Sequence, residues 1–355
     1  MAGKFRIAVP RDFQVARGEA GEDIGFALMT QEPRVSYDIS PEFVQEVGPE
    51  QIAGYDALVL GDPSCTRRTL GTSDLKLSIV ARMGVGYEDL DVKALTEHDI
   101  LLTNGPDGVR RPVAAAIVTL MLALGHELFA LDKLVREVRW EDRRNVHGRS
   151  PTGRVVGIIG LGNIGAEVLR LLPPFDMVHI AMDPFVTPEQ VADLNVELVD
   201  LENLMRRSDF VCITCPLTPE TRGLIGQREL SMMKPTAFLI NTARGPIVDQ
   251  QALYTTLKER RIQGAALDVF AEEPAPRDNP LIDLENVILS PHAVGVTDQC
   301  LRGIGESAVR SALTALRGDI PEHVVNREVL ERPGMKAKLK ANRKMWLAHE
   351  EEGTR

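Results

Sequence analysis

The chain has 355 residues, enough for two domains, and its 44% hydrophobic, 26% charged and 5% aromatic residues give the balance of a globular protein with aliphatic cores. A formal net charge of −10 speaks against a general nucleic-acid binder and against attachment to anionic membranes. It leaves open a small anionic ligand, which a few local cations can hold. The start, MAGKFRIAVPRDF, contains no apolar run of signal-peptide length, and the apolar stretch 113–124 is shorter than a bilayer span, so the expected location is the cytoplasm.

KFRIAVP reads as a first strand. Residues 11–41, with Gly18, Gly21, Gly25 and Pro33, read as irregular, with at most one further strand near Val35. YDALVLGD, LSIVARMGVG and ILLTNGPDG follow as apolar strands ending in turns, with helical patches such as PEQIAGY and DLDVKALTEH between them. This alternation predicts a small parallel sheet. After Pro112 a long helical pattern begins, apolar on nearly all sides in its first half, as in a buried helix or a subunit interface. A polar loop, WEDRRNVHGRSPTG, leads to a second alternation with strands VVGIIG, VHIAMD, DFVCIT, TAFLIN, GAALDV and VILSPH, then the helix GESAVRSALTALRGD. The final segment, basic and then acidic, reads as a solvent-exposed helix or frayed end. Cys212 and Cys215 form a CxxC, but within a strand side chains three apart face opposite ways and no second ligand pair accompanies them, so no metal is expected.

GIIGLGNIG has the spacing of a dinucleotide-binding turn, a weak signal alone and a stronger one between a strand and a helix. Gly160 allows the turn, Gly162 lets backbone approach a pyrophosphate, and Gly165 lets the helix pack on the strand. Asp183 ends the next strand, where an acidic side chain accepts from the adenosine ribose and repels a 2′-phosphate; with Pro184 and Phe185 following, NAD is expected over NADP. Three later strands end in Thr242-Ala243-Arg244, in Glu272-Glu273-Pro274 and in His292. An arginine fork can hold a carboxylate and polarise the neighbouring oxygen. A histidine can move the hydroxyl proton, and a glutamate beside it orients the ring and favours imidazolium. Together these suit hydride exchange on a 2-hydroxy acid.

GLGNIG (160–165), DP (183–184), CPLTPETRGLI (215–225), NTARGPIVD (241–249), ALDVFAEEP (266–274) and SPH (290–292) resemble the D-isomer-specific 2-hydroxyacid dehydrogenases, over about residues 4–330 and most weakly before 75. The resemblance implies an α/β chain of two Rossmann-like domains, a larger dinucleotide-binding domain and a smaller flavodoxin-like substrate domain. The substrate domain is expected over 1–111 and 296–330, the NAD-binding domain over 112–295, and a tail over 331–355. It implies Arg244 as the substrate-binding catalytic arginine, His292 as acid/base and Glu273 as its partner. Asn163 and Ile164 are implied at the pyrophosphate, Pro216 and Thr221 on the adenosine side, and Thr242, Ala243 and Asp268 near the nicotinamide. In the loop MGVGYEDLD, the N–H groups of Val85 and Gly86 are implied to hold the substrate carboxylate in a closing cleft, and the helix after Pro112 to form a homodimer.

The sequence departs from many members at Thr214, where they carry histidine, and at Ala116, where they carry an acid. No added regulatory domain is recognised past 330, which points away from the amino-acid-regulated phosphoglycerate type. The Glu273–His292 pair points away from the formate-oxidising relatives. Family frequency favours small 2-ketoacids of the glyoxylate or hydroxypyruvate kind. Tyr87, Arg110, Arg111 and Trp140 are candidates for the pocket or its entrance, although Arg110–Arg111 reads better as a solvated basic pair. The rivals are an NAD-sensing, corepressor-like protein on the same fold, which would tolerate loss of the triad kept here, and a dehydrogenase of a non-carboxylate anion such as phosphite.

Overall fold

The computed structural model describes residues 4–71 and 75–353, so the outermost ends of the expected substrate domain and tail, 1–3 and 354–355, lie outside the described residues. The chain forms two compact units, Met1–Val109 with Thr297–Arg355, and Arg110–Val296. In the first, β1 (Phe5–Arg11), β2 (Val35–Phe43), β3 (Ala57–Leu60), β4 (Ile79–Arg82) and β5 (Leu101–Thr103) make a five-stranded sheet in the order β2-β1-β3-β4-β5. Every pairing is parallel. Except for the edge strand β2, which is largely polar and exposed or half-buried, its strands are mainly apolar because both faces are covered. Ile7 and Val9 pack with Leu301, Ile304 and Val309 of the helix Asp298–Leu316, whereas Ala8, Leu58 and Leu60 pack with Ile52, Leu70 and Leu95 on the other side. The strand order is the flavodoxin-like one.

The second unit holds β6 (Val155–Ile159), β7 (Val178–Met182), β8 (Glu197–Leu198), β9 (Phe210–Ile213), β10 (Phe238–Asn241), β11 (Gly264–Leu267) and β12 (Val287–Leu289). They form a seven-stranded parallel sheet, β12-β11-β10-β9-β6-β7-β8. The order reverses between β6 and β9, which is where a doubly wound sheet opens a crevice at its carboxyl edge. The expected pair of α/β units is thus present.

Four expectations change in detail. The segment read as irregular contains two short helices, Phe13–Glu19 and Ala27–Gln31; the first is capped by Asp12, whose carboxylate accepts from the Val15 N–H at 2.8 Å. The long helix starts at Pro106 rather than after Pro112, ends at Gly125, and is followed by a separate helix, Leu128–Arg136. Pro112 lies inside it, where a proline removes one helical hydrogen bond, and the boundary between the units falls close by, after Val109. By length and composition this helix could cross a bilayer, against the expectation from its apolar stretch alone. Its Ile117, Leu120, Met121 and Leu124 instead pack in the core with Val156 and Ile158 of β6.

The segment expected as an exposed tail is the helix Pro333–Gly353, which belongs to the first unit. Met335 is fully buried there and Trp346 nearly so. The Trp346 ring lies 5.9 Å from that of Phe5 in β1, with the guanidinium groups of Arg34 and Arg317 over it at 4.7 and 5.3 Å. Replacing Trp346 with alanine is expected to remove about 3–5 kcal/mol of stability from this unit, read as a lower urea midpoint; an unchanged midpoint would return this helix to the status of a tail.

Candidate active site

The residues singled out in the second unit sit at the carboxyl ends of its strands. After β6 the chain turns at Gly160, whose φ of +94° suits glycine and whose Cβ would meet the Cys215 backbone at 2.6 Å. A Cβ on Gly165 would lie 2.4 Å from the Gly160 carbonyl, so the helix Asn163–Leu171 can approach the turn only with glycine there. Gly162 is the N-cap of that helix and brings no capping side chain, and a Cβ on it would meet nothing within 4 Å. Open space therefore faces uncapped N–H groups at the start of the helix, including the turn of Asn163 and Ile164, which fits a pyrophosphate. Thr214, in place of the histidine common at this position, donates to the Gly160 carbonyl at 2.6 Å and braces the turn.

Asp183 follows β7, and its two carboxylate oxygens accept from the Leu161 and Phe185 N–H groups at 2.8 and 2.9 Å. Each oxygen keeps acceptor capacity for a ribose hydroxyl. Pro216 and Thr221 are joined after β9, because the Thr221 hydroxyl donates to the Pro216 carbonyl at 2.7 Å and accepts from the Thr218 N–H at 2.8 Å. That hydroxyl is engaged within its own loop.

The arginine, glutamate and histidine are brought together by three strand ends. Asn241, buried at the end of β10, shapes the next turn: its amide accepts from the Ala243 N–H and donates to the Arg244 carbonyl, both at 3.0 Å. Thr242 is half-buried between them. Arg244 Nη1 donates to the Ala243 carbonyl at 2.7 Å. Gly245 then passes so close to Phe270 that a Cβ would stand 1.9 Å from its carbonyl carbon and oxygen. Phe270 in turn donates its N–H to Glu273 Oε1 at 2.9 Å, and Glu273 Oε2 meets His292 Nδ1 at 2.8 Å. With Nδ1 bound to the carboxylate, Nε2 is the nitrogen left to exchange a proton with a reacting group.

The hydrogen bond that the ring donates to Glu273 raises the His292 pKa; burial pulls it down, the Glu273 charge raises it further, and the Arg244 charge lowers it, leaving a net rise. Burial pushes the Glu273 pKa up, but the bonds from His292 and the Phe270 N–H and the charges of His292 and Arg244 outweigh it, leaving a net lowering. Arg244 is thus within electrostatic reach of both. Asp268, at the end of β11, pins the histidine segment: its carbonyl accepts from the His292 N–H at 2.7 Å, and its Oδ1 accepts from the Ala293 and Val294 N–H groups at 2.9 and 3.1 Å and from the Ser290 hydroxyl.

In the first unit, the loop after β4 carries Val85 and Gly86. The Gly84 carbonyl accepts from the Gly105 N–H at 2.7 Å and the Val85 carbonyl from Asn104 Nδ2 at 3.0 Å. In a trans peptide the N–H points away from its carbonyl, so holding these oxygens directs the Val85 and Gly86 N–H groups the other way. Among the described residues neither N–H has an acceptor. Two adjacent open N–H groups can take a carboxylate.

The other candidates disperse. Tyr87 and Trp140 are exposed side chains, and Trp140 stacks with Arg143 at 5.4 Å. Arg111 and Arg110 are exposed, as a solvated basic pair would be, and lie 2.8 and 4.0 Å from the nearly buried carboxylate of Glu167. Cys212 and Cys215 are buried thiols, pushed by burial up to about 12 and about 11. Among the described residues no group of histidine, cysteine and acidic side chains is placed to hold a metal. Asn241, Gly245 and Arg82, which are not among the sequence-based candidates, also shape these loops. Arg82 had a visible signal, an arginine closing the apolar strand LSIVAR.

Because Gly245 abuts backbone rather than a movable side chain, Gly245→Ala should push the Arg244 and Glu273 loops apart. The expected result is a loss of kcat/KM on the order of 100-fold with NADH affinity retained, checked by steady-state kinetics and NADH fluorescence titration.

The family model for the D-isomer specific 2-hydroxyacid dehydrogenase NAD binding domain matches residues 118–294. A glyoxylate reductase of Korarchaeum cryptofilum is 41% identical over 259 residues, 72% of this chain and 78% of that protein. A D-3-phosphoglycerate dehydrogenase of Methanocaldococcus jannaschii is 38% identical over 278 residues, 78% of this chain, which spans about half (53%) of that relative's length. Among solved structures, the TT0316 protein of Thermus thermophilus superposes with a TM-score of 0.78 at 26% identity, covering 90% of this chain and all of that one. The chain belongs to the D-isomer specific 2-hydroxyacid dehydrogenases, NAD-dependent oxidoreductases that interconvert 2-hydroxy acids and 2-ketoacids, and its second unit contains the family's NAD-binding domain.

Proposed function

We propose that this protein reduces a small 2-ketoacid of the glyoxylate or hydroxypyruvate kind with NADH, and oxidises the corresponding D-2-hydroxy acid in reverse. The observation that carries the reading is the Glu273–His292 contact of 2.8 Å, with Arg244 in electrostatic reach, on the sheet edge that also bears the nucleotide turn. Glyoxylate is supported by the relative of that name covering most of this chain's length.

In the first unit the Val85 and Gly86 N–H groups offer a substrate carboxylate two donors, and in the second the Arg244 guanidinium offers it a fork. Arg244 also polarises the C2 oxygen. In reduction, imidazolium His292 gives its proton to that oxygen while C2 gains a hydride; in oxidation neutral His292 takes the hydroxyl proton back. The dinucleotide, when bound, supplies or accepts that hydride. Gly160, Gly162, Asn163, Ile164 and Gly165 would hold its pyrophosphate and Asp183 its adenosine ribose, while Pro216 and Thr221 would serve the adenosine side and Thr242, Ala243 and Asp268 the nicotinamide side. The reading places the enzyme in the cytoplasm as a homodimer, with no nucleic-acid or membrane partner. Exposed Leu128, Phe129 and Val135, on the helix directly after Pro106–Gly125, support a self-association surface.

The direct test is oxidation of NADH against 2-ketoacids graded by size and charge, with NADPH in parallel. Turnover of glyoxylate or hydroxypyruvate with NADH is expected, and no turnover of any ketoacid despite NADH binding would overturn the proposal. Arg244→Ala is expected to lower kcat/KM by roughly three orders of magnitude, since a charged hydrogen bond and the polarisation of C2 are lost together. Glu273→Gln removes the anion that favours imidazolium, so the His292 pKa falls. The alkaline limb of ketoacid reduction, which lies above the ordinary histidine value of about 6.5 in the native enzyme, should then move to lower pH, as should the acidic limb of oxidation. Unmoved limbs would assign Glu273 a structural role only.

A further inference from the structure

Arg82 ends β4, directly before the loop that carries Val85 and Gly86. Its Nε donates to the Gly86 carbonyl at 3.0 Å, and its Nη1 is enclosed, with no partner among the described residues. Four acidic groups act on it, Asp62, Asp89, Asp12 and Glu88, and burial lowers its pKa against their pull. Two features of the surroundings ask for a cation. The loop itself is acidic, with Glu88, Asp89 and Asp91 within a few residues of Val85. Asp12, nearly fully buried, adds a further carboxyl group at the end of β1, its Oδ2 accepting from the Asp62 N–H at 2.9 Å. An anion approaching this loop would meet repulsion from all of them unless a positive charge lay beneath.

The planes carrying the Val85 and Gly86 N–H groups are held by the Gly105 N–H and by Asn104. The next plane, carrying the Tyr87 N–H, is held by Arg82 through the Gly86 carbonyl. The Tyr87 N–H, like the other two, has no acceptor among the described residues.

We propose that Arg82 is the positioning residue of the carboxylate loop: from behind, it fixes the Gly86–Tyr87 peptide so that Tyr87 adds a third N–H to the site, and it offsets the acidic surroundings without touching substrate. The inference rests on the proposed reading that this loop receives the substrate carboxylate. It adds a specificity element for the carboxylate end of the substrate, outside the Arg244–Glu273–His292 group.

The test compares Arg82→Gln, Arg82→Lys and Arg244→Ala with the native enzyme, measuring KM and kcat for the ketoacid, NADH affinity, and binding of oxamate to the enzyme–NADH complex. Holding a carboxylate equally in ground and transition states acts on KM. Arg82→Gln should therefore raise KM and the oxamate Kd roughly 10- to 100-fold, with kcat changed only a few-fold and NADH affinity unchanged. Arg82→Lys, which keeps the charge, should show a smaller rise of the same kind. A merely structural role would lower activity and melting temperature together without this split. If Arg82→Gln does not fold, Arg82→Lys decides. Unchanged KM and oxamate binding in the folded variants, with Arg244→Ala impaired, overturns the Arg82 inference and leaves the proposed function standing. Native enzyme that binds NADH but neither turns over ketoacids nor binds oxamate overturns both.

Discussion

The backbone and carboxylate of Asp268 tie three strand ends of the second unit into one rim. Its N–H donates to the Asn241 carbonyl at the end of β10 at 3.0 Å, its carbonyl accepts from His292 beyond β12, and its Oδ1 gathers Ser290, Ala293 and Val294. A carboxylate only 5% exposed is costly unless donors surround it, and here the donors are the backbone of the segment that must be fixed. His292 has φ of +52°, a left-handed conformation that costs a residue other than glycine about 1 kcal/mol or more. The Asp268 contacts on either side over-determine that conformation. The ring is thereby presented to Glu273 rather than left to a mobile loop.

Once the rim is fixed, the charges on it depend on one another. An arginine placed to hold a carboxylate also disfavours a protonated histidine nearby, and the Arg244 charge does act to lower the His292 pKa. With those two alone, the imidazolium form would be disfavoured. Glu273 reverses that balance through its hydrogen bond and charge, and the close passage of Gly245 over Phe270 keeps the Arg244 and Glu273 loops within reach of each other. The glutamate is therefore required by the arginine as much as by the histidine.

Much of this was legible in the sequence, for a physical reason. Parallel strands covered on both faces are short apolar runs, so β1, β3, β4 and the main strands of the second unit stand out, and the candidate residues lie close to where each run ends: Gly160 and Asp183 directly after β6 and β7, Arg244 and His292 three residues past β10 and β12. The two-residue β8 has no run to see, and the helices at 13–19 and 27–31 are too short for a period to emerge among glycines. The start at Pro106 was hidden because Pro112 reads as a breaker, yet the surrounding packing carries the helix through it. Trp346 sits in a strongly charged segment, so only tertiary contact reveals its burial. Gly245 and Asp268 act through backbone approach and backbone bonds, which residue type alone does not announce.

A chain with net charge −10 that handles a dinucleotide and an organic acid has to receive anions locally. The two proposed receptors have the same construction. At the helix following Gly162 and in the loop at Val85–Gly86, the groups left open are backbone N–H donors, whose dipoles add no net charge and need no counterion. Formal cations are kept behind or beside them and are tethered: Arg244 to the Ala243 carbonyl, Arg82 to the Gly86 carbonyl, Arg111 to Glu167. A free lysine or arginine would bind any anion in an otherwise acidic field and would swing with its own rotamers. Fixed N–H groups, oriented through carbonyls held from the far side, accept only an anion whose oxygens match their positions. In the proposed reading, the overall acidity of the protein discourages unselective anion binding, and selectivity rests on backbone geometry that each parallel sheet supplies.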